Sequence, residues 1–221
     1  GYFFGYKAIG VFQTQEEIDS YISPATGKPI QPNAAPGDTK FEDLNGDGVI
    51  SDDNEDRTMI GKPNPDWMVG LTVAADWNGF DLSAFFQGSF GADVFDALRR
   101  YELAAVNYTS DALERWTGPG TSNSMPRIVL GDTPKNFRPS TLLVHDASFL
   151  RLRNLQVGYT LPAQLTRKAY IQRLRFYASF DNLLTITGYK GMDPEIGSTM
   201  GIDKGVYPQA RVYTFGLNLT F

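Results

Sequence analysis

At 221 residues the chain is long enough for one large domain or two small ones. Apolar residues make up 42% but never form a run of about 18, so no helix of the usual kind spans a membrane. The net charge of −5 gives no electrostatic footprint for nucleic acid, and the absence of cysteine removes disulfides and thiolate metal sites. Counts of 15 Phe, 11 Tyr and 22 Gly favour strands, and barrel strands keep mean hydropathy low because they alternate.

Residues 1–13 read as a rising strand, and Gly1-Tyr-Phe-Phe-Gly-Tyr6 as the middle of one, so a piece of a longer chain is expected. Thr14-Gln-Glu-Glu17 has the form of a capping box and predicts a short helix over 15–22. Six Pro and Gly residues between Pro24 and Gly37 end it, and a long acidic loop follows to about residue 66.

The clearest hairpin turns at Asn78-Gly79, the pair preferred where both turn residues need positive φ. Folding about it sets Trp77 opposite Phe80, Ala75 opposite Leu82, Val73 opposite Ala84, Leu71 opposite Phe86, Val69 opposite Gly88 and Trp67 opposite Phe90. That face is wholly apolar and carries aromatics at both ends, as a strand pair crossing two headgroup zones requires. Eleven residues at roughly 3.3 Å each, tilted by about 40°, span roughly 28 Å, close to the apolar band of an outer-membrane barrel.

Residues 93–106 carry Val94, Leu98, Tyr101 and Ala105 at helical spacing, and 110–115 predict another short turn of helix. Loop composition runs from Thr117 to Pro139. Strand character returns over 142–160, where Leu150 and Leu152 keep one phase and Leu155, Val157 and Tyr159 the other. A β-bulge near Arg153-Asn154 accounts for the slip. A strand over 174–181, a Gly/Pro-rich loop over 187–207 and a terminal strand ending at Phe221 complete the chain. In that last strand Tyr213, Phe215, Leu217, Leu219 and Phe221 alternate with small polar residues.

The fold class expected is all-β: about six antiparallel strands of a larger transmembrane barrel, with short helices in the long loops. Loops 14–66, 91–141 and 187–206 lie at one end and the short links at the other, the asymmetry of outer-membrane barrels. Six strands leave two open edges, which lipid does not tolerate, so further strands are required.

Asp43-Leu-Asn-Gly-Asp-Gly-Val-Ile50 resembles the first half of an EF-hand loop, with oxygens at Asp43, Asn45 and Asp47, a turn glycine, and the Val49 carbonyl. Asn54 stands where a bidentate acid belongs, so an insertion moves the last ligand to Asp53 or Asp56. A structural Ca²⁺ that stiffens an external loop is expected; the bland alternative is a solvated acidic loop. His145 beside Asp146 has no nucleophile motif, and no catalytic set is expected. Arg151, Arg153 and Arg175 either line a pore or, more commonly for such charges, pair with acids such as Asp181.

Several stretches together resemble the C-terminal region of SusC/RagA-type TonB-dependent transporters. They are 36–50 (PGDTKFEDLNGDGVI), 56–65 (DRTMIGKPNP), 79–88 (GFDLSAFFQG), 146–155 (DASFLRLRNL) with 158–162 (GYTLP), and 207–211 (YPQAR). The resemblance implies a 22-stranded barrel of which this chain forms the last strands. It also implies an N-terminal plug and TonB-contacting segment outside this sequence, and a SusD-like surface lipoprotein. The activity implied is energy-coupled import of oligosaccharides or peptides across the bacterial outer membrane. The competing reading is a secreted, calcium-stabilised β-sandwich that binds glycans.

Overall fold

The computed structural model describes residues 1–99, 101, 103, 107–196 and 200–221. They divide into two compact units. One comprises Gly1–Pro63, Asp93–His145 and Ser198–Gly205; the other comprises Asn64–Ala92, Asp146–Gly197 and Val206–Phe221.

In the first unit, β1 (Phe3–Tyr6) and β2 (Ala8–Val11) precede helix α1 (Gln15–Ser20), β3 (Thr39–Phe41) and β4 (Arg57–Gly61). Thr14 caps α1 as its sequence predicts: its Oγ1 accepts from Glu17 N at 3.3 Å, and Glu17 Oε2 accepts from Gln13 N at 2.8 Å. β1 pairs antiparallel with β4, and β2 with β3. Residues 1–13 therefore do not supply a sixth long strand. The physical reason lies at Gly5, where a Cβ would meet Pro139 O at 2.4 Å: the chain is pressed against a loop rather than laid beside a long neighbour. Tyr6, Phe12, Ile18 and Phe41 are buried together in this unit.

The helix expected over 93–106 begins instead as a strand. β5 (Trp67–Trp77) and β6 (Phe80–Phe90) of the long sheet come first, and β7 (Asp93–Asp96) of a separate three-stranded sheet follows. β8 (Val144–Asp146) lies beside β7. Val94 is buried in β7, whose parallel partner is the two-residue strand at Ile202–Asp203. Of that expected helix, residues 100, 102 and 104–106 lie outside the described residues. A 3₁₀ turn does form at Ser110–Glu114. Tyr101, Ala112 and Met125 make a small core there, with Ile128 and Phe137 packed on it.

The second unit is one long antiparallel sheet. After β6 come β9 (Phe149–Thr160), the short helix α2 (Ala163–Thr166), β10 (Arg173–Thr187), then β11 (Ile202–Asp203) of the first unit and β12 (Val212–Thr220). Its order is β12-β10-β9-β6-β5. Asn78 (φ 46°) and Gly79 (φ 86°) both take positive φ, and the hairpin register is the expected one, from Trp77↔Phe80 to Trp67↔Phe90. A Cβ at Gly79 would approach Thr160 O to 2.7 Å, so glycine also lets β9 close over the turn.

The slip in β9 falls where the alternation breaks. Phe85 pairs with Asn154 and Phe86 with Leu152, leaving Arg153 as the extra residue. β10 answers with its own irregularity between Asp181 and Leu184, where Asn182 takes φ 53°. β10 also runs on to Thr187, longer than its expected end near 181. Long connections leave the Trp67/Phe90/Phe149/Thr187 end of the sheet, while the two-residue turn and the α2 link lie at the other. The all-β barrel-segment class holds, with five long strands.

Candidate functional site: the two faces of the long sheet

Alternation gives the sheet one apolar and one polar face. On the apolar face Trp67, Trp77 and Phe215 are 73%, 77% and 75% exposed, and Val69, Leu71, Val73, Leu217 and Leu219 are exposed with them. A sandwich would bury these side chains under a second sheet; here they are exposed. Aromatics gather toward both ends. Phe80 stacks on Tyr159 with centroids 4.5 Å apart, and Phe180 meets Tyr213 at 5.8 Å and Phe215 at 6.2 Å.

The opposite face is built from ionic and amide contacts. Near the hairpin end Arg175 on β10 reaches across β9 to Asp81 on β6, with Nε to Oδ1 at 2.9 Å. The bridge passes over Gly158, where a Cβ would lie 2.5 Å from both Arg175 Nη2 and Asp81 Oδ1. A side chain at position 158 would have to push that bridge aside, which glycine avoids. Toward the open end, Arg151 is 2% exposed and donates to Thr185 Oγ1 (2.9 Å), Glu195 (2.9 Å) and Asp193 (2.5 Å). Arg153, the bulge residue, donates to Gln87 (2.7 Å), Asn182 (3.2 Å) and Glu195 (2.5 Å). All three arginines are thus paired, as expected, but not with Asp181, which accepts from Asn154 at 2.7 Å. Asp193 and Glu195 sit in a Gly/Pro-rich loop with no periodicity, so sequence gave no signal for them.

Burial works to raise the Asp193 pKa, but backbone N–H groups of Gln209 and Glu195 and the Arg151 guanidinium outweigh it and hold the carboxyl below its ordinary value.

The acidic loop behaves differently. Asp43 accepts from Gly46 N and Gly48 N, both at 2.8 Å; Asn45 Oδ1 accepts from Asp47 N at 3.0 Å, and Asp47 Oδ1 from Val49 N at 2.8 Å. These Asx turns bend residues 43–49 through the glycines at 46 and 48, which take φ 78° and 88°. Asn45 Nδ2 faces Asp47 and Glu55 at 3.0 and 3.1 Å, and Glu55 is an acid the sequence reading did not single out. Asp53 accepts from Ser51 Oγ and from Glu55 N, contacts that lower its pKa. Asp56 is 0% exposed, and its two oxygens take Leu44 N (3.1 Å) and Ser51 N (2.9 Å), tying the loop's ends together. The donors suit a hard cation in kind. Their convergence is incomplete, since no three acidic or histidine side chains among the described residues are placed to share one ion.

Comparison with known proteins bears on the sheet. The chain is 34% identical, over its whole length, to TonB-dependent receptor P3 of Formosa agariphila, and 31% identical over 98% of its length to TonB-dependent receptor SusC of Bacteroides thetaiotaomicron. The RagAB peptide transporter structure superimposes on all of it with a TM-score of 0.73 at 27% identity. The chain belongs to the SusC/RagA-type TonB-dependent receptors. The chain spans 22% of the length of receptor P3, 20% of SusC and 23% of the RagAB chain. No family model matches it. The relatives bear receptor and transporter names.

Proposed function

We propose that the chain supplies part of the barrel wall and external loops of an outer-membrane importer that takes up oligosaccharides or peptides, energised through TonB. A SusD-like surface lipoprotein is its partner, and the remaining barrel and plug belong to the same transporter. The observation that carries this is the pairing of faces on one sheet: an uncovered apolar flank with aromatics at its two ends, backed by a polar flank of bridged charges. The receptor names of the relatives support the coupling, and the likeness to the RagAB peptide transporter supports a solute of peptide size.

The test uses the full-length transporter in its own membrane. Cells carrying Val73→Arg are expected to lose folded, surface-located transporter and the uptake that depends on it, while Thr72→Arg retains both. Normal assembly of Val73→Arg would sink the reading.

Calcium at the acidic loop belongs to the same proposal. Asp43, Asn45, Asp47 and the Val49 carbonyl would hold it, with Asp53 or Asp56 completing the set, and its role would be to stiffen the loop. Binding requires the Asn45 amide to turn so that oxygen rather than nitrogen faces Asp47. Calorimetry on the intact protein is expected to show calcium heat that Asp47→Ala removes; no heat, or heat unchanged in that variant, removes the claim.

A further inference from the structure

Asp193 and Glu195 raise a question the barrel reading does not answer: why two acids from an irregular loop are spent on two arginines of one strand. The bulge supplies the geometry. By adding Arg153 to β9 it sends Arg151, Arg153 and Asn154 to the same face within four residues, which strict alternation forbids. Charge supplies the second clue. Two guanidiniums face two carboxylates, so the cluster is neutral and its donors are used, which disfavours capture of a charged solute. Connectivity supplies the third. Asp193 also accepts Gln209 N and Glu195 N, both at 2.9 Å, and Asn182 donates to Ala210 O at 2.9 Å. Both the outgoing and the returning parts of the connection from β10 to β12 are thereby tied to one patch of the polar face.

We propose that Arg151 and Arg153 form a clasp that holds residues 189–196 as a strap against the inner wall, with Glu195, shared by the two arginines, as its releasable point. The clasp's two acids differ in access to water. Arg151 and Asp193 are both buried, so their contact survives as a fixed anchor; Arg153 and Glu195 are partly exposed, so water and salt compete for theirs. Release of Glu195 lets the strap swing on the Asp193 anchor without unfolding the sheet. The inference rests on the proposed function only in naming this face the side along which solute passes.

The test is a distance measurement between two nitroxide labels on full-length transporter freed of other cysteines, at Lys190→Cys on the strap and Leu165→Cys in α2, both exposed. The parent is expected to give one narrow distance distribution. Glu195→Gln is expected to add a second population at longer distance, Arg153→Gln a smaller one because Arg151 still holds Glu195, and Arg153→Lys, which keeps the charge but loses the fork, to fall between Arg153→Gln and the parent. Arg175→Gln breaks an ion pair elsewhere on the same face and is expected to leave the distribution unchanged. Heat-modifiable migration on a gel confirms that each variant is a folded barrel. An unchanged distribution in folded Glu195→Gln and Arg153→Gln, or an equal change in Arg175→Gln, overturns the clasp. Failure of the importer reading is distinguishable, because it shows in the uptake and assembly of Val73→Arg and not in these distances.

Discussion

The two faces of the long sheet use the same strands and the same register, yet they are stabilised by opposite means. The flank of Trp67, Val73, Trp77 and Phe215 is exposed and uncharged, and gains only if its surroundings are as apolar as itself. The flank of Arg151, Arg153, Arg175 and Asp81 is held by directed bonds to neighbouring strands and a loop, and in one case across a strand, where Arg175 crosses β9 to reach Asp81. The lesson is that solvent, more than strand propensity, selects residues here: alternation lets one strand satisfy hydrocarbon on one side and an aqueous or protein-filled interior on the other.

That contrast can be broken from either side. The largest effect is expected on the polar face. Arg151→Met leaves Asp193 and part of Glu195 without their cation in a buried site, which should cost about 3–5 kcal/mol in denaturant unfolding of the refolded transporter. On the apolar face, Val73→Arg should cost about 2–4 kcal/mol by the same measurement, with Thr72→Arg near neutral. Gly158→Ala is a subtler intrusion, since its Cβ meets the Arg175–Asp81 bridge; a loss of about 1–3 kcal/mol is expected, relieved when Arg175→Ala is added.

The smallest effect is a pH dependence. The folded Asp193 carboxyl titrates below its ordinary value of 3.8, so its contribution is full above that value and is lost as pH falls through the folded one. Unfolding curves are therefore expected to show acid destabilisation beginning near pH 4 that is smaller in Asp193→Asn, measured from that variant's own baseline.

How much of this could be read from residues alone depended on the range of the contact. The β5–β6 hairpin was legible pair by pair because Asn78-Gly79 sets both turn type and register. The bulge at Arg153 was legible because two runs of leucines fall out of phase. Residues 1–13 misled because a period of two looks the same in a four-residue strand and an eleven-residue one, and β1 and β2 are cut short by partners 28 to 58 residues away. Val94, Leu98 and Tyr101 fit a helix as well as a strand; what decides at 93–96 is Ile202–Asp203, more than a hundred residues on. In the acidic loop the Asx turns follow from Asp43, Asn45 and Asp47, but the buried position of Asp56 depends on amides at both ends of the loop.

The central claim is that hydrocarbon lies against the Val73 side of β5. It is tested most directly by placing a nitroxide at Val73→Cys and, separately, at Thr72→Cys in the full-length transporter reconstituted in a bilayer, and comparing relaxation by oxygen with relaxation by a water-soluble nickel chelate. The account predicts that the Val73 label is reached by oxygen and shielded from nickel, and that the Thr72 label shows the lower oxygen exposure of the two. A Val73 label reached by nickel as readily as by oxygen, or one shielded from both by protein, would contradict it.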